Sequence, residues 1–547
     1  MKNRNRKMKN GQASQCSIAR VLQFAFLIFH FSFFIPLSAA EPIEADILLK
    51  GGTVFDGIGS DGVIGDVAIK GDRIVGVGKF ELKSADWEID CTGLVICPGF
   101  IDLHNHSDAQ IVSSKTRANV NFVTQGCTTI VTGNCGSGPV DCGEYLAKID
   151  AAGAGTNVAH LLPQGSLRAK VLGSAQRKAT ADEIKLMREL ADKAMRDGAF
   201  GMSTGLIYVP SSYADTAELI EITRTIGQHG GIYASHIRGE GKDLLDSVSE
   251  AIKIGRDGGC PIHVSHFKAS GQEAWGLIRP AAKLIEEARK SGLKVTADQY
   301  PYIASSTSLD ATVLPTWSLA GGRDKLLERL KDKEQSARIT KFVDDKVEKA
   351  DNGERIRITS CAKHPKYVGR SLADIAKSEK SKPLDVALKI TRDGGAGIVN
   401  FGMSEEDVRF AMTLPWVATA SDGRAYLPSA DKPHPRSYGT FPRKIGEYSV
   451  KENVLPLAAA IRSCTSLPAD ILGLPDRGRL ATDHFADVVV FDPKTIRDRA
   501  TFDKPHQYAF GLQYVFINGE PAMKEGAVTG ALAGRALKRL ANSTPPN

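Results

Sequence analysis

The chain has 547 residues, more than one ordinary core requires, and its 42% hydrophobic, 24% charged composition excludes a disordered, collagenous or multi-spanning membrane protein. Six positive and no negative charges fall within Met1–Ala40, so the formal charge of +7 leaves the remainder near +1. A near-neutral body with no Lys/Arg run interleaved with aromatics has no surplus of cations for phosphates, which excludes nucleic acid as a partner.

At the N-terminus, Lys2, Arg4, Arg6, Lys7, Lys9 and Arg20 precede or border the apolar run Val21–Ile35, and Pro36-Leu37-Ser38-Ala39-Ala40 follows. This is the pattern of a signal peptide over residues 1–40, cleaved after Ala40. The run is short against the roughly 20 residues of a membrane span. Cys16 lies before the run, where it does not suit a lipoprotein anchor. The expectation is an exported protein, periplasmic or secreted, with no stable membrane anchor after cleavage. The eight cysteines beyond the leader are too scattered over this length to read as a disulfide framework.

Residues 41–97 carry short alternating stretches (DILLKGGTVFDG, GDVAIKGDRIVGVG, ADWEID) broken by Gly and Asp, the pattern of small antiparallel strands. The far end, 475–547, repeats it in ADVVVFDP and LQYVFINGEPAMKEG. Two half-sets of strands at opposite ends make one small β-sandwich if the chain leaves, builds something large and returns. Between them, over 98–474, apolar segments alternate with helical ones as in repeated βα units. Candidate strands are VICPGFIDL, TTIVTG, NVAHLLP, FGMSTG, GIYASH, PIHVSH, LKVTAD and WVATAS, and helical periods such as ADEIKLMRELADKAMRDG lie between them. The predicted fold class is α/β, a (β/α)8 TIM-like barrel with an insertion around 303–405, because the gap after Asp298 is too long for one βα unit. The run Ile356–Ser360 (IRITS) competes with LKVTAD for the seventh strand, and pattern alone does not choose between them.

Barrel enzymes build their sites at the C-terminal ends of the strands, and this chain places His, Cys and Asp there. His104-Asn105-His106 follows the first strand, and on an extended segment both imidazoles would share a face. Cys135 follows the second strand, His236 the fifth, His266 the sixth and Asp422 the eighth. Singly, each has an ordinary structural reading: an inert buried thiol, a core histidine, a helix-capping carboxylate. Together, in barrel register, they read as a metal site. His263 lies three residues before His266 and faces the other way, as a core or supporting group.

The succession PGFIDLHNH, then His at strand five, His at strand six and Asp at strand eight resembles the amidohydrolase superfamily, whose barrel is paired with a small β-sandwich from both termini. Within it, GNCG, GMSTGLIYVP, SHFK, DQYPYIASST and HPRSYGTFPR resemble the D-aminoacylase (N-acyl-D-amino-acid deacylase) family over nearly all of residues 45–540. Hydantoinases and dihydroorotases bridge two metals with a strand-four lysine, but Phe200–Leu206 contains none. In the resembled family a strand-two cysteine bridges instead, and Cys135 stands there. The resemblance also implies that His104 and His106 form with Cys135 a second, weaker metal position, that Tyr208 polarises the scissile carbonyl, and that Tyr300 and Ser306 bind substrate. One departure is visible: Gln164 stands where relatives often carry a histidine.

An amide needs a hydroxide near neutral pH, oxyanion stabilisation and a proton donor. Zn2+ held by Cys135, His236 and His266 with an open fourth position supplies the first, and Asp422 is the candidate proton carrier. Lys268, two residues after His266, or Arg436 is the candidate partner for a substrate carboxylate. The expected activity is zinc-dependent hydrolysis of small N-acyl-D-amino acids, the D configuration being implied by the resemblance. The alternatives are a cyclic-amide hydrolase of the same superfamily or a noncatalytic secreted binding protein.

Overall fold

The structure is a computed structural model that describes residues 42–539. The expected leader and its cleavage site lie outside the described residues.

Eight short parallel strands form the barrel: Phe100–Asp102, Cys127–Thr132, Asn157–His160, Gly201–Gly205, Ile232–His236, Ile262–Val264, Val295–Gln299 and Val417–Thr419. The third reaches the fourth through Phe200 N–H, which donates to His160 O at 2.9 Å. The ring closes between eighth and first, where Asp422 N–H donates to His104 O at 2.8 Å and Asn105 bridges Gly423. Ile101, Val131, Ala159, Phe200, Ala234 and Ala418 fill the interior. Outside, Met187, Leu219, Ile226, Val248, Ile254 and Ile285 seal the helices against the wall. Strands buried on both faces read as apolar runs, which is why all but strand seven were legible. Helix ends follow local chemistry: Thr180 and Glu183 form a capping box before Ala181–Arg196, and Gly259, at φ 71°, ends Leu244–Gly258.

The two ends of the described chain meet in one nine-stranded sheet. Val95–Pro98, from the N-terminal part, pairs antiparallel with Val488–Phe491, from the C-terminal part. Leu49, Val67 and Ile69 from one half and Val488, Val490 and Phe516 from the other share a core, so the sheet folds over itself as expected of a sandwich.

Strand seven is decided by pairing. Val295–Gln299 pairs with Ile262–Val264 on one side and Val417–Thr419 on the other, so IRITS is not a barrel strand. Ile356–Ser360 lies in a separate three-stranded antiparallel sheet with Gly397–Asn400 and Ser305–Ser308. Helices Arg323–Lys331, Lys333–Lys349, Leu372–Glu379 and Pro383–Arg392 accompany this sheet around a core of its own, with Leu326, Ile339, Ile358 and Ile390. The cysteines among the described residues are all buried and unpaired. Among the described residues, no helix is long and apolar enough to cross a membrane.

Candidate metal centre and active site

The strands stop short of the chemistry. Strands one, two, six and eight end at Asp102, Thr132, Val264 and Thr419, so His104, His106, Cys135, His266 and Asp422 all sit in the turns beyond; only His236 ends its strand. Cys135, His266 and Asp422 have φ of 50°, 38° and 50°, the left-handed region that non-glycine residues seldom enter. Strand alternation therefore does not explain the pairing of His104 with His106, which corrects that expectation. The turns bring the side chains together instead: the rings of His104 and His106 meet edge-on, 5.2 Å between centres, both with Nε2 toward Asp422.

Cys135 Sγ lies 3.7 Å from His236 Nδ1 and 3.7 Å from His266 Nε2. A tetrahedral zinc with Zn–S of about 2.3 Å and Zn–N of about 2.0 Å sets S···N separations of about 3.5 Å. The thiol–imidazole spacing fits. The two imidazole nitrogens are 2.7 Å apart, a hydrogen-bond separation, and would part by about half an ångström around such an ion. On the other side of Cys135, His104 Nε2 is 3.2 Å from Sγ, and His104, His106 and Cys135 form a second group of converging ligand atoms. Cys135 belongs to both groups, and both lie in buried surroundings.

Charge explains why metal suits this cluster. Burial pushes the Cys135 thiol up, but His104, His106 and His236 outweigh it and hold the thiol well below its usual range. Burial likewise disfavours the charged form of Asp422, yet Arg436 and His104 keep its carboxyl well below the ordinary value. Against burial, Cys135, Asp298 and Asp422 raise His104, and Asp422 and Cys135 bring His106 up to about 9. A thiolate and carboxylates here are balanced by protons on imidazoles, and metal binding displaces such protons.

Two acids that sequence reasoning missed organise the centre. Glu240 Oε1 is 2.6 Å from Lys268 Nζ and 2.9 Å from His266 Nδ1. Asp298 accepts from the His266 backbone N–H at 2.7 Å and faces His263 and His104. An acid in an otherwise apolar strand (VTAD) was the available signal for Asp298. For Glu240 it was the need of a buried lysine for a counter-charge.

Lys268, 6% exposed, is thus paired: its ammonium curls back to Glu240 and the His266 carbonyl. Arg436 Nη1 is 2.8 Å from Asp422 Oδ2, and Nη2 donates to Ser306 O at 3.3 Å. The ring of Tyr300 lies 5.7 Å from Lys268 Nζ and 4.7 Å from Arg436 Cζ, with its hydroxyl buried and unpartnered among the described residues. Ser306 spends its hydroxyl on Ile398 O at 2.8 Å, so it offers Arg436 its carbonyl rather than a hydroxyl to a ligand. Tyr208 is 3.0 Å from Thr307 Oγ1, and burial and Cys135 push its phenol up, so it stays a proton donor. Gln164 is fully buried; its carbonyl accepts from Ser211, and its amide nitrogen has no partner among the described residues. At the end of strand four, a Cβ on Gly205 would lie 2.1 Å from Cys135 O: the cysteine turn rests on this glycine. A cavity of about 1230 Å³ opens over the centre, with Cys135, His236, Lys268, Asp422 and Arg436 on the barrel side and Ser305–Ser308 of the inserted sheet opposite.

A barrel with this ligand set at the C-terminal ends of its strands defines a metal-dependent hydrolase. The profile of the amidohydrolase family matches residues 88–523. D-aminoacylase of Alcaligenes xylosoxydans xylosoxydans is 36% identical over 528 residues, 92% of this chain and 100% of that protein. N-acyl-D-glutamate deacylase of the same organism is 34% identical over 91% of this chain and 98% of its own length. Among solved structures, a D-aminoacylase superposes with a TM-score of 0.78 at 36% identity, covering 90% of this chain and 100% of that one. The N-acyl-D-glutamate deacylase from Bordetella bronchiseptica, complexed with zinc and a phosphonate mimic of the reaction's tetrahedral intermediate, gives 0.77 at 31%, with 91% and 100% coverage. The chain belongs to the amidohydrolase family, on its D-aminoacylase branch.

Proposed function

We propose that this protein hydrolyses the amide bond of N-acyl-D-amino acids, giving a D-amino acid and a carboxylate, with zinc held by Cys135, His236 and His266. The observation that carries the reading is the convergence of Cys135 Sγ, His236 Nδ1 and His266 Nε2 beside an ionised Asp422. When bound there, zinc supplies a hydroxide nucleophile near neutral pH and a Lewis acid for the carbonyl. Asp422, kept ionised by Arg436, accepts the proton of the attacking water and delivers it to the leaving nitrogen. Tyr208 turns its hydroxyl from Thr307 to the carbonyl oxygen and donates to it as negative charge develops. Arg436 and Lys268, beside the ring of Tyr300 and its buried hydroxyl, face the substrate carboxylate. The D configuration is supported by relatives that are a D-aminoacylase and N-acyl-D-glutamate and N-acyl-D-aspartate deacylases.

His104, His106 and Cys135 are the proposed second metal position. A similar D-aminoacylase has a binuclear metal centre with one-metal activation and second-metal attenuation. Export through the leader is the proposed route, tested by whether the mature protein begins at Glu41. The linear-amide reading is favoured over a cyclic-amide hydrolase because strand four carries no lysine and Gly205 at its end packs on the Cys135 turn.

Paired N-acetyl-D- and N-acetyl-L-amino acids, with hydantoins as a third set, test the proposal on zinc-loaded protein. The D-forms should be hydrolysed at least about a hundredfold more efficiently, about 2.7 kcal/mol and within the roughly 2–5 kcal/mol cost of separating a buried charge from its partner. Equal rates on both enantiomers would refute the assignment of the carboxylate to a fixed cation, and preferred turnover of hydantoins would refute the linear-amide reading.

A further inference from the structure

Asp298, in barrel strand Val295–Gln299, is 1% exposed and does not line the cavity over the centre. Its two oxygens are shared among three histidines. Oδ1 accepts the backbone N–H of His266 at 2.7 Å; Oδ2 is 2.8 Å from His263 Nε2 and 3.3 Å from His104 Nδ1. Oδ1 takes a backbone N–H while Oδ2 faces two ring nitrogens at once, so the carboxyl is placed as an acceptor at both oxygens. A carboxyl that accepts a backbone N–H at one oxygen and meets two ring nitrogens at the other is served best when the facing nitrogen of each ring carries the hydrogen. For His104, a hydrogen on Nδ1 leaves Nε2 as the atom presented to Cys135 Sγ at 3.2 Å. His263, whose Nδ1 is 2.9 Å from Thr296 Oγ1, ties strand six to strand seven and braces Asp298 from behind.

We propose that Asp298, braced by His263, is a positioning residue that fixes the tautomer and aim of His104 and thereby sets how tightly the second metal position holds its ion. The inference rests on the two-position reading given above. An imidazole whose remote N–H is bound to a carboxylate is oriented and made more basic, and loss of such a partner weakens metal binding by about 10- to 100-fold. The Cys135–His236–His266 position takes only a backbone contact from Asp298, one that an asparagine carbonyl also supplies. In Asp298→Asn, the amide nitrogen at the Oδ2 site would donate to His104 Nδ1 and force the hydrogen onto Nε2, the nitrogen needed for the metal.

Metal-free protein is titrated with zinc alone by calorimetry, in the unsubstituted form and in Asp298→Asn and His263→Gln. The first equivalent should bind all three forms within about threefold, whereas the second should bind Asp298→Asn about 10- to 100-fold more weakly, with His263→Gln displaced in the same direction. Attenuation of activity by excess zinc should move to correspondingly higher zinc. An unchanged second affinity in Asp298→Asn overturns the proposal, as does equal loss at both positions, which would make Asp298 a general support of the fold. Where Asp298→Asn does not fold, His263→Gln decides: selective loss of the second equivalent supports the proposal and an unchanged second equivalent overturns it. If the unsubstituted protein binds one equivalent only, the proposal falls with the second-position reading, while the deacylase reading still stands on the D/L assay of the one-zinc enzyme.

Discussion

Asp422→Asn sets two effects of similar size against each other. The first is chemical. A positioned proton carrier contributes about a hundred- to ten-thousandfold in rate, which is about 2.7–5.4 kcal/mol of activation free energy. The second is structural. Asp422 and Arg436 form a buried pair, with side chains 10% and 6% exposed, so the substitution strands a guanidinium in the interior. Removing one partner of such a pair costs about 3–5 kcal/mol of stability. A fall in bulk activity would therefore not separate lost chemistry from lost fold. The assay is kcat for an N-acetyl-D-amino acid, normalised to folded protein by calorimetry, with zinc content measured on the same sample. Zinc should stay near that of the unsubstituted protein, because Asp422 is outside the Cys135–His236–His266 set, while kcat falls by two to four orders of magnitude. The double variant Asp422→Asn/Arg436→Met removes both charges and should recover much of the stability without recovering turnover. More than about a tenth of normal kcat in folded Asp422→Asn, well short of the hundredfold minimum for a proton carrier, would refute the reasoning. So would recovery of turnover in the double variant.

Other outcomes follow from separate features. Cys135→Ala removes a ligand common to both proposed positions, so zinc content and activity should fall together; a full zinc complement with normal turnover would make the thiol merely structural. In metal-free protein, Cys135→Gly should be at least as stable as Cys135→Ala, because φ is 50° there, whereas in a regular strand glycine would lose by about 0.5–1 kcal/mol; thermal melts of the two decide. Glu240→Gln takes the counter-charge from Lys268 and leaves His266 Nδ1 only a neutral acceptor, so first-zinc affinity should drop by about 10- to 100-fold, read by competition with a chelator. Lys444 is buried and, among the described residues, donates to Met412 O, and burial lowers its pKa to about 8 from an unfolded value of 10.5. The unfolded chain holds this proton between those values and the folded chain does not, so this residue's contribution to stability rises with pH from about 8 to 10.5. Below that window it costs about 3 kcal/mol, so Lys444→Met should be the more stable form at pH 7, with the advantage vanishing near pH 10.5. Urea melts of both forms across pH measure the difference.

What the sequence disclosed depends on how local each signal was. Cys135, His236, His266 and Asp422 were legible only as a set: each has an ordinary structural reading alone, but four metal-ligating residues at the ends of separate apolar strands in barrel register do not. The sandwich was legible because both chain ends carry the same short-strand pattern. Strand seven was not, because VTADQ and IRITS are both five-residue runs with β-branched residues, and only pairing with Ile262–Val264 and Val417–Thr419 distinguishes them. Glu240 and Asp298 were missed because their meaning is wholly tertiary: Asp298 acts on His104, 194 residues earlier, and Glu240 on Lys268, 28 residues later. The pairing of Lys268 was hidden for the same reason, since spacing from His266 gives its neighbourhood but not its counter-charge.

Alternation along a strand also fails at the ligands themselves, and the failure is physically informative. A side chain on a regular barrel strand points into the packed interior or out to the helices. An ion above the mouth lies on neither line, so a ligand aimed at it must come from chain that has left the strand. The left-handed residues Cys135, His266 and Asp422 make that departure within three residues of the strand end, at a cost on the order of 1 kcal/mol each. Each is secured across the barrel. Asp422 N–H is bound to the His104 carbonyl, His266 N–H to Asp298, and Gly136 N–H, next to Cys135, to Ser203 Oγ at 2.9 Å. Strand eight is thus latched to one, six to seven and two to four, so the barrel rather than the metal fixes where the ligands stand. An ion arriving at such a site finds its ligands already ordered, and binding need not offset the entropy of gathering them from mobile loops.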